Sequence, residues 1–206
     1  MRKVLGVILA GGLARRMGGG DKGLLMLGGQ PILARIVERL RPQVEAVVIN
    51  ANGDPARFAA FGLPVAEDAV PDFAGPLAGV LAGLAWARAN RPDVTDIVTV
   101  PGDGPFLPRD LVAHLVAARD AATADLACAV SAGQPYPVIG LWPLRLHDDL
   151  HRAVTAEGIR KVDVWTARHR LAQASFAAHP VDPFFNANTP EDVAEAERLL
   201  ARLEGA

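Results

Sequence analysis

Val7-Ile8-Leu9-Ala10-Gly11-Gly12-Leu13-Ala14-Arg15-Arg16-Met17-Gly18-Gly19-Gly20-Asp21-Lys22-Gly23 runs from an apolar, β-branched segment straight into a glycine-dense loop with three cations. Glycine lets backbone N–H groups approach a ligand because no Cβ stands in the way. A row of such groups forms an anion-binding concavity. Arg15, Arg16 and Lys22 add full positive charge at the same place. A strand end, a glycine loop and fixed cations together suit a triphosphate. Two commoner phosphate motifs do not fit. A P-loop needs glycine before its lysine and Ser or Thr after it, whereas Asp21 and Gly23 flank Lys22. Gly18 to Gly23 has the spacing of a dinucleotide fingerprint, but that motif should begin where the strand ends. It also holds Asp21, whose charge would repel a pyrophosphate.

Outward from this loop, strand-like and helix-like segments alternate. Lys3 to Ala10, Val44 to Ile49, Leu63 to Ala66 and Asp96 to Val100 read as strands. Pro31 to Leu40 and Pro76 to Ala89 read as helices, and a third runs from Leu107-Pro108 to about Arg119. Asp54 is placed to cap a short helix through Phe61. Farther on, Leu126 to Val130, Val138 to Leu141 and Ala174 to Val181 read as strands. Leu144 to Val154, Ile159 to Arg168 and Pro190 to Leu203 read as helices, the last capped by Thr189. Continuous apolar strands separated by helices predict a parallel sheet covered on both faces. The expected fold is one three-layer α/β/α domain over residues 1–206. Its nucleotide-binding part covers about 1–110 and its acceptor-binding part about 111–206. Ligands of such sheets sit beyond the carboxyl ends of the strands. There the sequence places the glycine loop, Asn50, Asp68 and Asp103.

Bulk composition narrows the class. The chain has 206 residues, 50% hydrophobic and 21% charged, which argues against disorder. A formal net charge of −2 argues against a general nucleic-acid binder. One cysteine, Cys128 in an apolar run, excludes an intrachain disulfide and a cysteine-rich metal site. No apolar run is long enough to span a bilayer. The apolar stretch after Met1-Arg2-Lys3 is short and runs into Arg15 and Arg16, unlike a secretory signal. A cytoplasmic protein is expected.

Asp103 lies in the tight loop Pro101-Gly102-Asp103-Gly104-Pro105 after a buried strand. Taken alone it is equally a turn aspartate or a ligand for a hard cation. Opposite a glycine-and-lysine loop, the Mg²⁺ reading is favoured. Asp68 is acceptor-only when ionised and suits the ring N–H and amino group of guanine, or else it is a loop or cap residue. His147 and His151 share one helix face at zinc-protease spacing, but no third ligand accompanies them. Thr189 and Asp192 form a helix start, which leaves Asn186 and Asn188 unexplained.

Leu9-Ala10-Gly11-Gly12 with Arg16-Met17-Gly18 and Asp21-Lys22 resembles the signature loop of nucleotidyltransferases. With Gly75-Pro76-Leu77-Ala78-Gly79, Pro101 to Pro108 and Asn186 to Asp192, the chain resembles the molybdenum cofactor guanylyltransferases, a MobA-like family. That resemblance implies a Rossmann-like, mostly parallel sheet with some antiparallel pairing. It implies transfer of GMP from Mg-GTP to the phosphate of molybdenum-molybdopterin, with release of pyrophosphate. By matching positions, Leu9, Ala10 and Gly11 would contact GTP through backbone, and Lys22, Asn50, Asp68 and Asp103 would complete its site. Asp103 would hold Mg²⁺, Arg16 and Lys22 would favour the leaving pyrophosphate, and Asn186 and Asn188 would lie on the acceptor side. The implied protein is a monomer working with proteins of molybdenum cofactor synthesis and target molybdoenzymes, with no nucleic acid or membrane partner. CMP transfer from CTP to the same pterin and a non-catalytic GTP or molybdopterin carrier are the alternatives. Gly102 stands where many members carry cysteine, and Tyr136 where histidine is common.

Overall fold

Side chains alternate across a strand, so a strand apolar at every position needs cover on both faces. The computed structural model, which describes residues 2–11, 21–68, 70 and 75–204, meets this need. In chain order the elements are β1 (Val4–Leu9), β2 (Met26–Leu27), β3 (Gln30–Pro31), α1 (Ile32–Leu40), β4 (Ala46–Asn50) and β5 (Val65–Ala66). Then come α2 (Pro76–Asn90), β6 (Asp96–Pro101), α3 (Leu111–Ala121), β7 (Leu126–Ser131) and β8 (Gln134–Pro143). The last are α4 (His147–Thr155), α5 (Val162–Thr166), β9 (Leu171–Phe176) and α6 (Pro190–Glu204).

Seven strands form one sheet in the order β5-β4-β1-β6-β8-β7-β9. Only β8 runs against the others, pairing antiparallel with β6 and β7. The mostly parallel α/β architecture with some antiparallel pairing is therefore present. Along β1, Val4 and Ile8 enter one core with α1, α3 and α6, while Leu5 and Val7 enter the other with α2, α4 and α5. The chain steps outward from β1 through β4 to β5, then returns to β6 on the other side of β1. That reversal opens a crevice at the carboxyl ends of the central strands.

Several boundaries differ from the sequence reading. Pro31 ends a small hairpin before α1, paired with Met26 across Gly28 and Gly29, both at positive φ. β8 is longer than expected and contains Pro135 and Pro137, although an interior strand normally excludes proline. Here the β7–β8 register jumps between Cys128 and Ala129, and β6 pairs only with the Gly140–Pro143 half. Pro135 and Pro137 fall in the half that β6 does not reach, and Pro143 is the last residue of the strand. The last strand is Leu171–Phe176 rather than Ala174 to Val181, because its inward residues are the small Ala172 and Ala174, which give little hydrophobic contrast. The helix read over Ile159 to Arg168 shortens to Val162–Thr166.

Several buried polar groups of the sheet are matched, though Ser131 Oγ in β7 has no hydrogen-bond partner among the described residues. Trp142 Nε1 donates to Thr99 Oγ1 at 2.7 Å, and that hydroxyl donates to Val138 O at 2.5 Å. This chain of bonds ties β6 to β8. Asp96 and Arg119 form an ion pair with both side chains almost wholly buried. Breaking such a pair leaves a charge without compensation, at about 3–5 kcal/mol. Arg119→Ala should therefore destabilise the protein by about that much in a urea titration. Arg119→Met combined with Asp96→Asn should lose far less, because neither charge is stranded.

Candidate active site

Two backbone hydrogen bonds assemble the crevice. Gly102 N–H donates to Leu9 O at 2.9 Å, and Ala10 N–H donates to Asn50 O at 2.8 Å. The ends of β1, β4 and β6 are thereby joined where the chain leaves the sheet. Leu9 O and Ala10 N–H are thus engaged within the protein, which narrows the backbone contact expected of them. Gly11 is exposed, and among the described residues nothing lies within 4 Å of where its Cβ would stand. Arg16, like Arg15, lies outside the described residues.

Lys22 opens a short 3-10 turn, Lys22–Leu24, that packs against the loop after β6. A Cβ on Gly23 would lie 2.8 Å from Gly102 O, so this approach requires glycine. Gly102 is equally close-fitting, since its own Cβ would stand 3.1 Å from Leu9 O. The contact brings Lys22 Nζ within 3.7 Å of Asp103 Oδ2 and 2.5 Å from Asn188 Oδ1. Asp103 O also accepts from Ala187 N–H at 2.9 Å, which docks the 186–188 segment onto the loop. Asn188 and Thr189 both donate backbone N–H to Asp192 Oδ2, and Asp192 N–H donates to Thr189 Oγ1. The expected helix start thus also holds Asn188 in place. Asn186 Oδ1 is buried with no hydrogen-bond partner among the described residues, facing Gly104.

The second half of the site surrounds Asp68. Asn50 Nδ2 donates to Asp68 Oδ1 at 2.9 Å and to Ala66 O at 3.1 Å. Asn50 is only 4% exposed, so in this structure it acts on Asp68 rather than presenting its own amide. Its Oδ1 lies against Gly79, where a Cβ would stand 2.3 Å away. This is the tight packing that the Gly-Pro-Leu-Ala-Gly stretch permits. Asn52 escaped the sequence reading. Its Nδ2 donates to Asp68 Oδ2 at 2.8 Å, and its Oδ1 accepts from Asp68 N–H at 2.8 Å. An asparagine next to a glycine reads as an ordinary turn, and Gly53 does adopt positive φ. No local signal set Asn52 apart.

Burial pushes the Asp103 carboxyl above its ordinary range, and Lys22 pulls it back only in part. Among the described residues no group of three or more His, Cys, Asp or Glu could cage a metal. One hard carboxylate beside a lysine is a donor set that Mg²⁺ accepts, because this ion takes most of its ligands from water and substrate oxygens. The residues present fit that ion. The paired histidines behave as a surface feature, with His147 Nδ1 against Arg88 Nη1 at 2.7 Å and close to Asp148. A groove of about 680 Å³ at the opposite end of the sheet is lined in part by Arg2, Asp96, Arg119, Asp120 and Arg145. Its charges pair with one another, and none of the candidate residues lines it.

The profile of the MobA-like NTP transferase domain matches residues 6–172. The chain belongs to this family. A molybdenum cofactor guanylyltransferase of Bradyrhizobium sp. strain ORS 278 is 59% identical over 96% of this chain and 93% of its own length. The MobA-like fold is also shared with molybdopterin-guanine dinucleotide biosynthesis protein A from Archaeoglobus fulgidus, at TM-score 0.73 and 24% identity. That match covers 96% of this chain and 99% of the other. A Mycobacterium tuberculosis protein solved as a manganese complex shares the fold at TM-score 0.68 and 18% identity, over 95% and 98% of the two chains. The MobA-like chain is thus a nucleotidyltransferase.

A carboxyl raised by burial is held charged in the folded protein against its environment. Its unfavourable contribution is absent below the ordinary carboxylate range and complete above the raised folded value. Asp103→Asn should therefore melt at or above the wild-type temperature in metal-free buffer at neutral pH. The gap should narrow as the pH falls through the raised folded value and wild-type Asp103 takes up its proton. A lower melting temperature for the variant at neutral pH would contradict this account.

Proposed function

We propose that the chain transfers GMP from GTP to the terminal phosphate of molybdenum-molybdopterin and releases pyrophosphate. The observation that carries this reading is the cluster of Lys22, Asp103 and Asn188, with Asp68 gripped by two asparagine amides on the other side of β1. A nucleotide would lie across the crevice, its base toward Asp68 and its phosphates toward Lys22. With both oxygens already accepting from Asn50 and Asn52, the Asp68 carboxylate is fixed in orientation. Its remaining acceptor capacity suits the guanine ring N–H and amino group.

An oxygen of the acceptor phosphate attacks the α-phosphorus of GTP, and the bond from that phosphorus to the bridging oxygen breaks. The electron pair leaves with pyrophosphate. The acceptor is already an anion near neutral pH, so no strong general base is needed. Positioning and charge stabilisation supply the catalysis. Lys22 neutralises the departing pyrophosphate, with Arg16 as its expected partner. Asp103 would hold Mg²⁺, which when bound offsets phosphate charge. Asn188 contacts Lys22, which supports an acceptor-side role for its amide. Asn186 would offer its unpartnered oxygen to the same neighbourhood. Leu9, Ala10 and Gly11 would bound the nucleotide from the sheet end.

The nucleotide-binding part would lie in about residues 1–110 and the acceptor part in 111–206. Among the described residues no helix is long and apolar enough to cross a membrane. A cytoplasmic monomer that receives molybdopterin from other proteins of cofactor synthesis, and delivers its product to molybdoenzymes, is the setting we propose.

Incubation with Mg-GTP and molybdenum-loaded molybdopterin, with chromatography of the pterin product and assay of pyrophosphate, tests this reading. Asp103→Ala should lower transfer by about a hundredfold or more. Near-normal transfer by that variant would overturn the assignment. Asp68→Asn should raise the KM for GTP by about 10- to 100-fold, the range for losing a charged hydrogen bond. Competition between GTP and CTP then separates guanylyl from cytidylyl transfer.

A further inference from the structure

Asp21 poses a problem for a phosphate loop. It directly precedes Lys22, it is largely buried, and its negative charge belongs to the loop that must accept a polyanion. The structure contains an answer in Arg57, on the 3-10 turn Pro55–Phe61 after β4. Arg57 Nε lies 2.5 Å from Asp21 Oδ2. The N–H does not point along that line, so the contact is a charge pair rather than an aligned hydrogen bond. The rest of the guanidinium is directed elsewhere. Nη2 donates to Asn52 O at 2.6 Å and Nη1 to Asp54 O at 2.7 Å. The cation also lies 4.7 Å above the Phe58 ring centroid. Phe58 is buried in the α1 core, which anchors the turn.

Arg57 thus touches both halves of the site without belonging to either. On one side it pairs the carboxylate next to Lys22. On the other it holds the backbone of Asn52, whose side chain grips Asp68. We infer that Arg57 is a positioning residue for nucleotide, cancelling the charge of Asp21 beside the phosphates and joining that segment to the base-holding loop. This inference rests on the nucleotide reading proposed above. A solvated surface arginine would not explain two short backbone bonds and an ion pair reaching three separate positions. The fork suits arginine specifically, because lysine offers a point charge and cannot direct separate N–H groups at the Asn52 and Asp54 carbonyls while keeping its charge beside Asp21.

The test uses the enzyme and five variants, Arg57→Ala, Arg57→Lys, Asp21→Asn and each Arg57 change combined with Asp21→Asn. Transfer assays give kcat and KM for GTP and for molybdopterin, and thermal melts report folding. Arg57→Ala should raise the KM for GTP by roughly tenfold, the scale of uncompensated like charge at a binding site. The KM for molybdopterin should change by less than about twofold. Adding Asp21→Asn to Arg57→Ala should recover most of the lost GTP affinity, and Arg57→Lys should recover part of it. A merely structural arginine would affect both substrates together and would not be rescued by removing a carboxylate. An unchanged KM for GTP in Arg57→Ala overturns the inference. So does a double variant no better than the single one. A variant that melts too low to assay shifts the comparison to Arg57→Lys against Arg57→Lys with Asp21→Asn, read in the same way. Failure of the wild-type protein to transfer GMP would overturn the nucleotide reading itself, a result separate from any of these.

Discussion

The short links from β1 to its neighbours, Gly102 N–H to Leu9 O and Ala10 N–H to Asn50 O, are the constraint on which the site depends. They extend the ladders of the central sheet just past its edge. The loops after β1, β4 and β6 each leave the sheet from a point already fixed in height and spacing. Parallel strands buried on both faces are rigid supports, and functional groups placed on such supports hold their geometry better than groups on free loops. Lys22 then needs no strand of its own. It reaches Asp103 because Gly23 lets its turn settle on the Gly102 carbonyl.

On this frame the site divides by chemistry. Between β1 and β6 lie a cation, a half-buried carboxylate and an amide, suited to phosphate and a hard metal ion. Between β4 and β5 lies a carboxylate held by two asparagine amides, suited to a polar base edge. A dry environment strengthens each electrostatic contact and raises the penalty for any unmatched charge. Asp103, pushed up by burial, is the clearest sign of that environment. The Asp96–Arg119 pair shows the same physics where no ligand is concerned.

Much of this was legible in the sequence, for definite reasons. β1, β4 and β6 are apolar at successive positions and end in polar or glycine residues, so strand ends and site residues announced one another. Lys22 and Asp103 could be read from residue type and context. Asn188 could be singled out as an asparagine that the helix start did not require, but its contact with Lys22 spans a sequence separation of 166 residues, and no local pattern encodes that. Asn52 and Arg57 were missed because exposed polar residues in a turn look alike whether they bind solvent or hold a neighbour. β8 reads short because Pro135 and Pro137 lie in the half that pairs with β7 alone, past the change of register, where the rule against proline in interior strands does not apply. The hairpin before α1 did carry its signal, Gly28-Gly29, on strands of two residues each.

The contact between Gly79 and Asn50 sets limits on how this site can be altered. With 2.3 Å between the amide oxygen and the place of a missing Cβ, α2 and β4 fit together as a matched surface. A change at either position obliges the other to move, and Leu9 also lies within 2.7 Å of that place. Positions 52 and 68 are more open to solvent. Variation aimed at the proposed base contact therefore has room at the rim of the crevice and little at its root. Directed libraries should diversify the former while leaving Asn50 and Gly79 untouched.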